Sequence, residues 1–341
     1  MKICQILASH DYGGLEKHTI ELSLELYKQN IDITVIAHES FQKYFKNIPF
    51  IPLDFSSSRY NPFMLYELYK ILNKYEFDIV HAQANKASSM VAILKYFLSP
   101  NTKTIATIHS QKKNIKSFEK FDYVIGVSYR VLDSLNNASK TVIYNGINTP
   151  KVTYDELFWH KFGITKESFV ICAIGRLEIV KNFSMLIKSI CELPIELVIV
   201  GDGSQKDNLK KLAKELKISS KVHFLGFRKD VNDILYHSQL CIISSDREGF
   251  SYVMAEALLL EKPIISTDVG DMTRILPKGY VVPVDDVDAM QNSILKVLNN
   301  YEDSLNIFEK SFEFAKMNFT LEYMVKKVKD LYTSIINEEC K

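Results

Sequence analysis

The feature that most constrains this 341-residue chain is a rhythm that runs through it twice. Short apolar, β-branched runs at 3–7, 31–37, 78–81, 104–108, 123–127 and 141–144 alternate with segments of helical period such as 15–29, 86–98 and 130–135. A strand reads as a near-continuous apolar run when both its faces are covered. A helix between two such strands is the crossover that a parallel sheet requires. The rhythm breaks at Asn145-Gly146-Ile147-Asn148-Thr149-Pro150, a cluster of turn formers, and restarts at 169–174, 197–200, 222–225, 240–243 and 263–266. Two Rossmann-like α/β domains are therefore expected, over 1–150 and 151–318, tightly joined with a cleft between them. From Asp286 onward the period is almost wholly helical, and 319–341 reads as a C-terminal helix able to cross back to the first domain.

Charge and cysteine usage narrow the function classes. Lys plus Arg total 42 against 41 for Asp plus Glu, which excludes the strong positive field of a dedicated nucleic-acid binder. Residues 1–150 hold 17 basic and 13 acidic side chains and the remainder 25 and 28, so any basic surface is local. The five cysteines (Cys4, Cys172, Cys191, Cys241 and Cys340) are scattered and odd in number, and three lie in strand-like runs. They read as buried thiols, not as a disulfide or metal framework. No run approaches the ~20 apolar residues of a membrane span, and 1–7 is too short for a signal peptide, so a cytoplasmic location is expected.

In an open parallel sheet a ligand sits beyond the carboxyl ends of the strands, and four segments there carry chemistry. Gly13 and Gly14 end the first loop and open a helix, so backbone N–H groups can approach a ligand and the helix N-terminus favours an anion; a plain tight turn explains the pair equally. Gly175-Arg176-Leu177-Glu178 leads to Lys181-Asn182 and supplies a guanidinium fork and a point charge suited to a diphosphate, unless Arg176 simply pairs with Glu178. Gly201-Asp202-Gly203-Ser204 repeats the glycine pattern after the next strand.

The richest segment runs from Ser244 to Leu258. Glu248 and Gly249 close a loop after a buried strand, and Ser251 is placed to cap the following helix. Glu256 lies among apolar residues, where an ionised carboxylate needs a polar partner. A ribose diol would serve, since each carboxylate oxygen can accept from one hydroxyl. A structural Lys or Arg, or a solvent-facing position, is the alternative. His109 and His81 also follow strands.

Glu248 and Glu256, set in Glu-Gly-Phe-Ser-Tyr-Val-Met-Ala-Glu, resemble the signature of retaining glycosyltransferase family 4, the glycosyl transferases group 1 with the GT-B fold. The likeness extends from Gly13-Gly14 through Asn145-Gly146-Ile147, Gly175-Arg176-Leu177, Lys181-Asn182, Gly201-Asp202-Gly203, Phe224-Leu225-Gly226 and Thr267-Asp268-Val269-Gly270. It implies a GT-B fold, two Rossmann-like domains facing across a cleft with C-terminal helices packing back. Arg176 and Lys181, with backbone at Gly14 and at Phe250, Ser251 and Tyr252, would hold the diphosphate of a nucleotide-sugar. Glu256 would bind the ribose, Arg228 would border the base, and Glu248 and His109 would contact the donor sugar.

The same resemblance implies a front-face displacement with retention and no enzyme nucleophile. Catalysis would rest on charge stabilisation at the leaving diphosphate, without a metal and without any further cofactor. One departure from the pattern is Gly270-Asp271-Met272-Thr273-Arg274, where Asp stands for the usual second glycine and Arg for the usual Glu. Two alternatives stay open, a nucleotide-sugar 2-epimerase of the same architecture and a non-catalytic nucleotide-sugar-binding protein; acceptor-dependent transfer separates all three. The expected donor is a UDP-sugar, and the expected acceptor a glycan or lipid-linked hydroxyl in surface polysaccharide or glycolipid assembly. Lys112, Lys113, Lys116 and Lys120 form a basic segment that suits an anionic membrane surface or equally a solvated face.

Overall fold

The computed structural model describes residues 1–111, 115–136 and 139–337. It forms two compact units, one of Met1–Gly146 with the segment from Thr320 onward, the other Ile147–Phe319. The first break falls inside the turn-rich cluster.

Unit 1 contains β1 (Lys2–Leu7), α1 (Gly14–Lys28), β2 (Asp32–Ala37), β3 (Phe50–Pro52), α2 (Pro62–Tyr75), β4 (Ile79–Gln83), α3 (Ala84–Leu94), β5 (Lys103–Ile108), β6 (Tyr123–Gly126), α4 (Tyr129–Leu132) and β7 (Ser139–Val142). Its seven strands are ordered β3-β2-β1-β4-β5-β6-β7 and pair in parallel throughout. Cys4 and Ile6 on β1 join one apolar cluster, while Ile3 and Leu7 join another. This is the two-sided burial that the apolar runs require. Asn61 starts α2 by accepting from the N–H groups of Phe63 and Met64, with Pro62 at the first helical position.

Unit 2 contains β8 (Val170–Ile174), α5 (Phe183–Ser189), β9 (Glu196–Val200), α6 (Lys206–Glu215), β10 (Val222–Gly226), α7 (Val231–His237), β11 (Leu240–Ile243), α8 (Tyr252–Leu259), β12 (Ile264–Thr267), α9 (Met272–Ile275), β13 (Val281–Val282), α10 (Val287–Asn299) and α11 (Tyr301–Asn318). Six parallel strands are ordered β10-β9-β8-β11-β12-β13. The order reverses between β8 and β11, as it does between β1 and β4 in unit 1, and such reversals are where α/β sheets open a binding crevice. Cys4, Cys172 and Cys241 are buried free thiols, as their apolar surroundings predict; Cys340 lies outside the described residues.

The last helix, α12 (Leu321–Asn337), belongs to unit 1. Its buried residues Leu321, Met324, Val325, Val328, Tyr332 and Ile335 recur at helical spacing and share a core with Leu22 and Leu26 of α1. At roughly 1.5–3 kcal/mol per buried apolar side chain, this face contributes on the order of 10 kcal/mol before ordering costs. Gly146 makes the crossing possible, because a Cβ there would lie 2.5 Å from the Thr320 carbonyl oxygen.

Candidate functional site

In unit 2 the strand-end loops converge on one ion pair. Lys181, in the turn after β8, donates to Glu248 Oε1 at 2.5 Å, and Ser245 Oγ donates to the same oxygen at 2.8 Å. Both charged groups are largely screened from solvent, with side chains 25% and 13% exposed. The loops are cross-tied through their backbones: Asp246 N–H bonds the Val180 carbonyl, Ser244 Oγ the Lys181 carbonyl, and Thr267 Oγ1 the Ser245 carbonyl. Asn182, left-handed at φ 46°, caps α5 through Oδ1 and donates from Nδ2 to Asp246 and Asp285. Gly175 lies under the Lys181 stem, 3.5 Å from Cε to the place a Cβ would take.

Ser251 caps α8 as its position predicts, accepting from the Met254 N–H at 3.2 Å, and lines the same small recess as Lys181 and Glu248. Gly249 is buried, with left-handed Gly270 packed against its carbonyl. The Phe250 ring meets Tyr252, the first residue of α8, and Phe319 edge to face, so its side chain is packing and its backbone remains at the helix entrance. Glu256 is half-buried one turn further along α8; the Cys172 thiol and burial push the pKa of the Cys241 thiol on β11 upward, and the Glu256 charge adds a smaller push.

The structure also reassigns several sequence-level expectations. Arg176 is exposed, and Glu178 turns its carboxylate to the N–H and Oγ of Ser204. Gly203 is explained by packing, because a Cβ there would lie 2.6 Å from the Leu177 carbonyl oxygen; at Gly201 the clash with the Gly175 oxygen would be 1.9 Å. These two glycines let strand-end backbones touch one another, a packing reason for glycine that stands beside their expected place near a ligand. Arg228 forms a bidentate pair with Asp230 through Nε and NH2, at 2.8 and 2.6 Å, and stands over the Phe162 ring. Arg274 is exposed on α9. The acidic triplet Asp286-Val287-Asp288 serves as a helix start: Asp286 Oδ1 accepts from Ala289 N–H at the entrance to α10.

In unit 1, Gly13 precedes α1 in extended conformation and Gly14 is its first residue. The Glu16 carboxylate folds back to within 3.3 Å of the place of a Gly13 Cβ. That helix N-terminus therefore already has an acidic neighbour, which weakens its case as an anion site. His109, directly after β5, donates from Nε2 to Gln83 Oε1 at 2.9 Å. Gln83 Nε2 donates to Gln5 Oε1 at 2.9 Å, and Gln5 Nε2 to the Tyr332 hydroxyl at 2.8 Å. Tyr332 in turn meets His81 Nδ1 at 2.6 Å, and His81 Nε2 meets Thr107 Oγ1 at 2.7 Å.

Donors and acceptors in this chain can all be matched with both histidines neutral. Burial lowers the pKa of His81 to about 3 and of His18, stacked edge to face on His109, to about 4; it also holds His109 well below the usual range. Each proton would have to enter a site that holds no carboxylate partner for it. His81 is thus a structural residue. Gln5, Gln83 and Tyr332 had no local signal, since their partners lie up to 327 residues away in sequence.

His109, Gln83, Arg59 and Lys86 line an open recess of about 430 Å³ beyond the ends of β1, β4 and β5. Arg59 is held by Asn85 Oδ1 at 2.7 Å and Ser89 Oγ at 3.1 Å, both neutral, so its charge is directed but not cancelled by them. Ala84, at the foot of the recess, has φ 60°, a conformation that costs a residue with a Cβ about 1–3 kcal/mol and that clusters at functional sites. A second recess continues past Arg59 and Asn85 to Lys116 and Lys120. Lys112 and Lys113 lie outside the described residues.

With two parallel sheets and these strand-end constellations established, family comparisons are informative. The model for glycosyl transferases group 1 matches residues 156–313, and that for glycosyltransferase family 4 matches residues 12–151. The chain belongs to this glycosyltransferase family. Among the relatives of this glycosyltransferase, the N-acetyl-alpha-D-glucosaminyl L-malate synthase of Bacillus anthracis is 22% identical over 96% of this chain and 91% of that protein. The UDP-Gal:alpha-D-GlcNAc-diphosphoundecaprenol alpha-1,3-galactosyltransferase of Escherichia coli is 26% identical over 80% and 79%. Anabaena HepE in complex with UDP superposes with a TM-score of 0.85 at 18% identity, over 98% of this chain and all of that one. The fold is accordingly that of GT-B glycosyltransferases. Among the described residues no helix is long and apolar enough to cross a membrane.

Proposed function

We propose that the protein transfers a sugar, with retention, from a UDP-sugar to a hydroxyl of an anionic glycan or lipid-linked acceptor in surface glycan or glycolipid assembly. The observation that carries this reading is the Lys181 to Glu248 pair at the converging ends of β8 and β11, over Gly175 and beside the capped start of α8. A diphosphate entering there meets a preoriented ammonium and the N–H groups at the start of α8, while the carboxylate can accept from sugar hydroxyls. Arg176, exposed on the same loop, adds a second cation. Glu256 is assigned to the ribose, and His109, with Nε2 engaged by Gln83 and Nδ1 left as acceptor, to the transferred sugar.

In the transfer step the bond from the anomeric carbon to the diphosphate oxygen breaks, and a bond to the acceptor oxygen forms on the same face. The acceptor's proton passes to the departing diphosphate, so no enzyme nucleophile and no metal is required. Lys181 and Arg176 stabilise the charge that grows on the leaving group. Solved relatives by fold that hold UDP and UDP-glucose support a uridine donor. The acceptors of two relatives, malate and a diphosphoundecaprenol-linked sugar, are both anionic. Arg59 and Lys86 in the unit 1 recess would meet such a charge.

A membrane surface is part of this proposal. Tyr66, Tyr69 and Phe97 form a chain of ring contacts, Lys120 stands over the Tyr96 ring, and Phe63 is 80% exposed at the start of α2. Exposed aromatics beside lysines suit the interface of an anionic bilayer, and with it a peripheral location on the cytoplasmic face. The deciding experiment is a thermal-shift screen of nucleotide-sugars followed by product analysis with and without acceptor. A melting-temperature rise with a uridine donor and acceptor-dependent product of retained configuration is expected. Epimerised donor formed without acceptor, or binding without turnover, would replace the reading.

A further inference from the structure

Three loops of unit 1 that the transfer chemistry does not use bring together His10, His38 and Asp54, with one ligand atom of each within 4.8 Å of the other two. They follow β1, β2 and β3, which lie side by side in the sheet, so the parallel strands deliver all three to one rim. The His10 and His38 rings meet edge to face with centroids 4.5 Å apart. On His38, Nδ1 lies 2.9 Å from Ser40 Oγ and 3.3 Å from Ser40 N. In the free site Nδ1 accepts from Ser40 N–H and the ring proton lies on Nε2; a metal at Nε2 would move that proton to Nδ1, where Ser40 Oγ can accept it, the outer-shell arrangement common to metal-bound histidines.

Asp54 is fixed as firmly. Ser56 N–H donates to its Oδ1 at 2.8 Å and Ser56 Oγ to its Oδ2 at 2.9 Å. Each oxygen keeps a further lone pair. Two imidazoles and one carboxylate at a solvent-open rim make a three-ligand set with room for water, of the kind that binds zinc and not magnesium or calcium.

We propose that His10, His38 and Asp54 form a divalent transition-metal site, zinc by ligand chemistry, that staples the loop leading to Gly13 onto the rims of β2 and β3. Tetrahedral zinc with ~2.0–2.1 Å bonds places its ligand atoms about 3.3 Å apart, so small rotations of exposed His10 and Asp54 close the set. The site draws on residues of unit 1 alone and is independent of any role for metal in sugar transfer.

The test is titration of tag-free full-length protein with Zn²⁺ by calorimetry and with Co²⁺ by visible absorption. One equivalent should bind and give the d–d bands of a low-coordinate site. His10→Ala, His38→Ala and Asp54→Asn should each weaken binding at least about 100-fold, and Ser40→Ala about tenfold as an outer-shell partner. All four positions are at the surface, and unchanged melting temperatures without metal would certify folding. His223→Ala, which removes the two-residue His223 to Glu196 pair of unit 2, should leave the stoichiometry unchanged. Equal binding by wild type and the His10→Ala, His38→Ala double variant, or no bound equivalent at all, overturns the site.

Discussion

The two units place polar side chains at equivalent ends of parallel sheets but solve opposite problems. In unit 2 the centre is a charge pair, Lys181 and Glu248, whose loops are tied together by one backbone hydrogen bond and by the hydroxyls of Ser244 and Thr267 donating to backbone carbonyls. In unit 1 three histidines are kept neutral by burial, and two of them, His81 and His109, are bound into a chain of amides and hydroxyls that runs through Gln83, Gln5 and Tyr332. A partly screened ion pair can exchange one partner for a ligand charge. A neutral network can instead fix the direction of a single ring without adding a field. On the proposed function, leaving-group stabilisation falls to unit 2 and orientation of the sugar to unit 1.

The sharpest break of that contrast comes from removing charge. Lys181→Ala should lower kcat/KM by about 10²–10³-fold, the loss typical of a preorganised group aimed at developing charge. Glu248→Ala should act mainly on kcat, whereas Glu256→Ala should raise the Kd for UDP in calorimetry while sparing turnover at saturation. Equal losses of nucleotide affinity in both glutamate variants would contradict the division of labour between them.

Acid should strike unit 1 first. The folded-state pKa values of His18 and His81, about 4 and about 3, lie below the value of 6.5 for a free imidazole. The unfolded chain then binds more protons below that value. Stability present above pH ~6.5 is therefore lost as pH falls toward the folded values, by up to about 1.4 kcal/mol per unit for each ring. Denaturant midpoints measured from pH 7 to pH 4 should fall, and His18→Phe or His81→Phe should flatten the slope even if it lowers the plateau. A slope unchanged in both variants would refute the neutral interior.

A subtler change converts the front site toward the rear one. Gln83→Glu puts a carboxylate where His109 Nε2 now donates at 2.9 Å, and an opposite charge at that range raises an imidazole pKa. His18 and His81 face the same ring, and Arg59 and Lys86 line its recess, so all charged neighbours among these oppose the shift. A new inflection in the kcat profile between about pH 6 and 8 is expected, absent from wild type and from Gln83→Leu. Superimposable profiles would deny His109 contact with the reacting sugar. Smallest of all, Lys116→Ala with Lys120→Ala should reduce binding to anionic vesicles severalfold at low salt and little at high salt, since screening removes what the lysines supply.

How much of this was legible in the sequence follows from range. The alternation of strand and helix, the Ser251 cap and the buried thiols are set by neighbours a few residues apart, and the structure has them where the pattern puts them. Glu248 and Lys181 could be paired only through their strand-end positions and the family likeness. Gln5, Gln83 and Tyr332 gave no sign, because a glutamine in an apolar run looks alike whether its amide meets a histidine or a distant tyrosine. Gly203 is ambiguous in the sequence for a physical reason: backbone meeting backbone and backbone meeting ligand demand the same missing Cβ, and the structure shows the first. The acidic triplet at Asp286 was passed over, and its role as a helix cap is plain only from its bond to Ala289 N–H.

The path of the chain through unit 1 has a consequence for biosynthesis. Residues 147–319 are contiguous, so this half can reach its native state soon after it leaves the ribosome. Its partner must wait, with the α1 groove and the imidazole of His81 uncovered, until 321–337 has also emerged. Nascent protein therefore passes through a stage in which a finished nucleotide module trails a half-closed sheet, and that interval is when chaperones would be needed most.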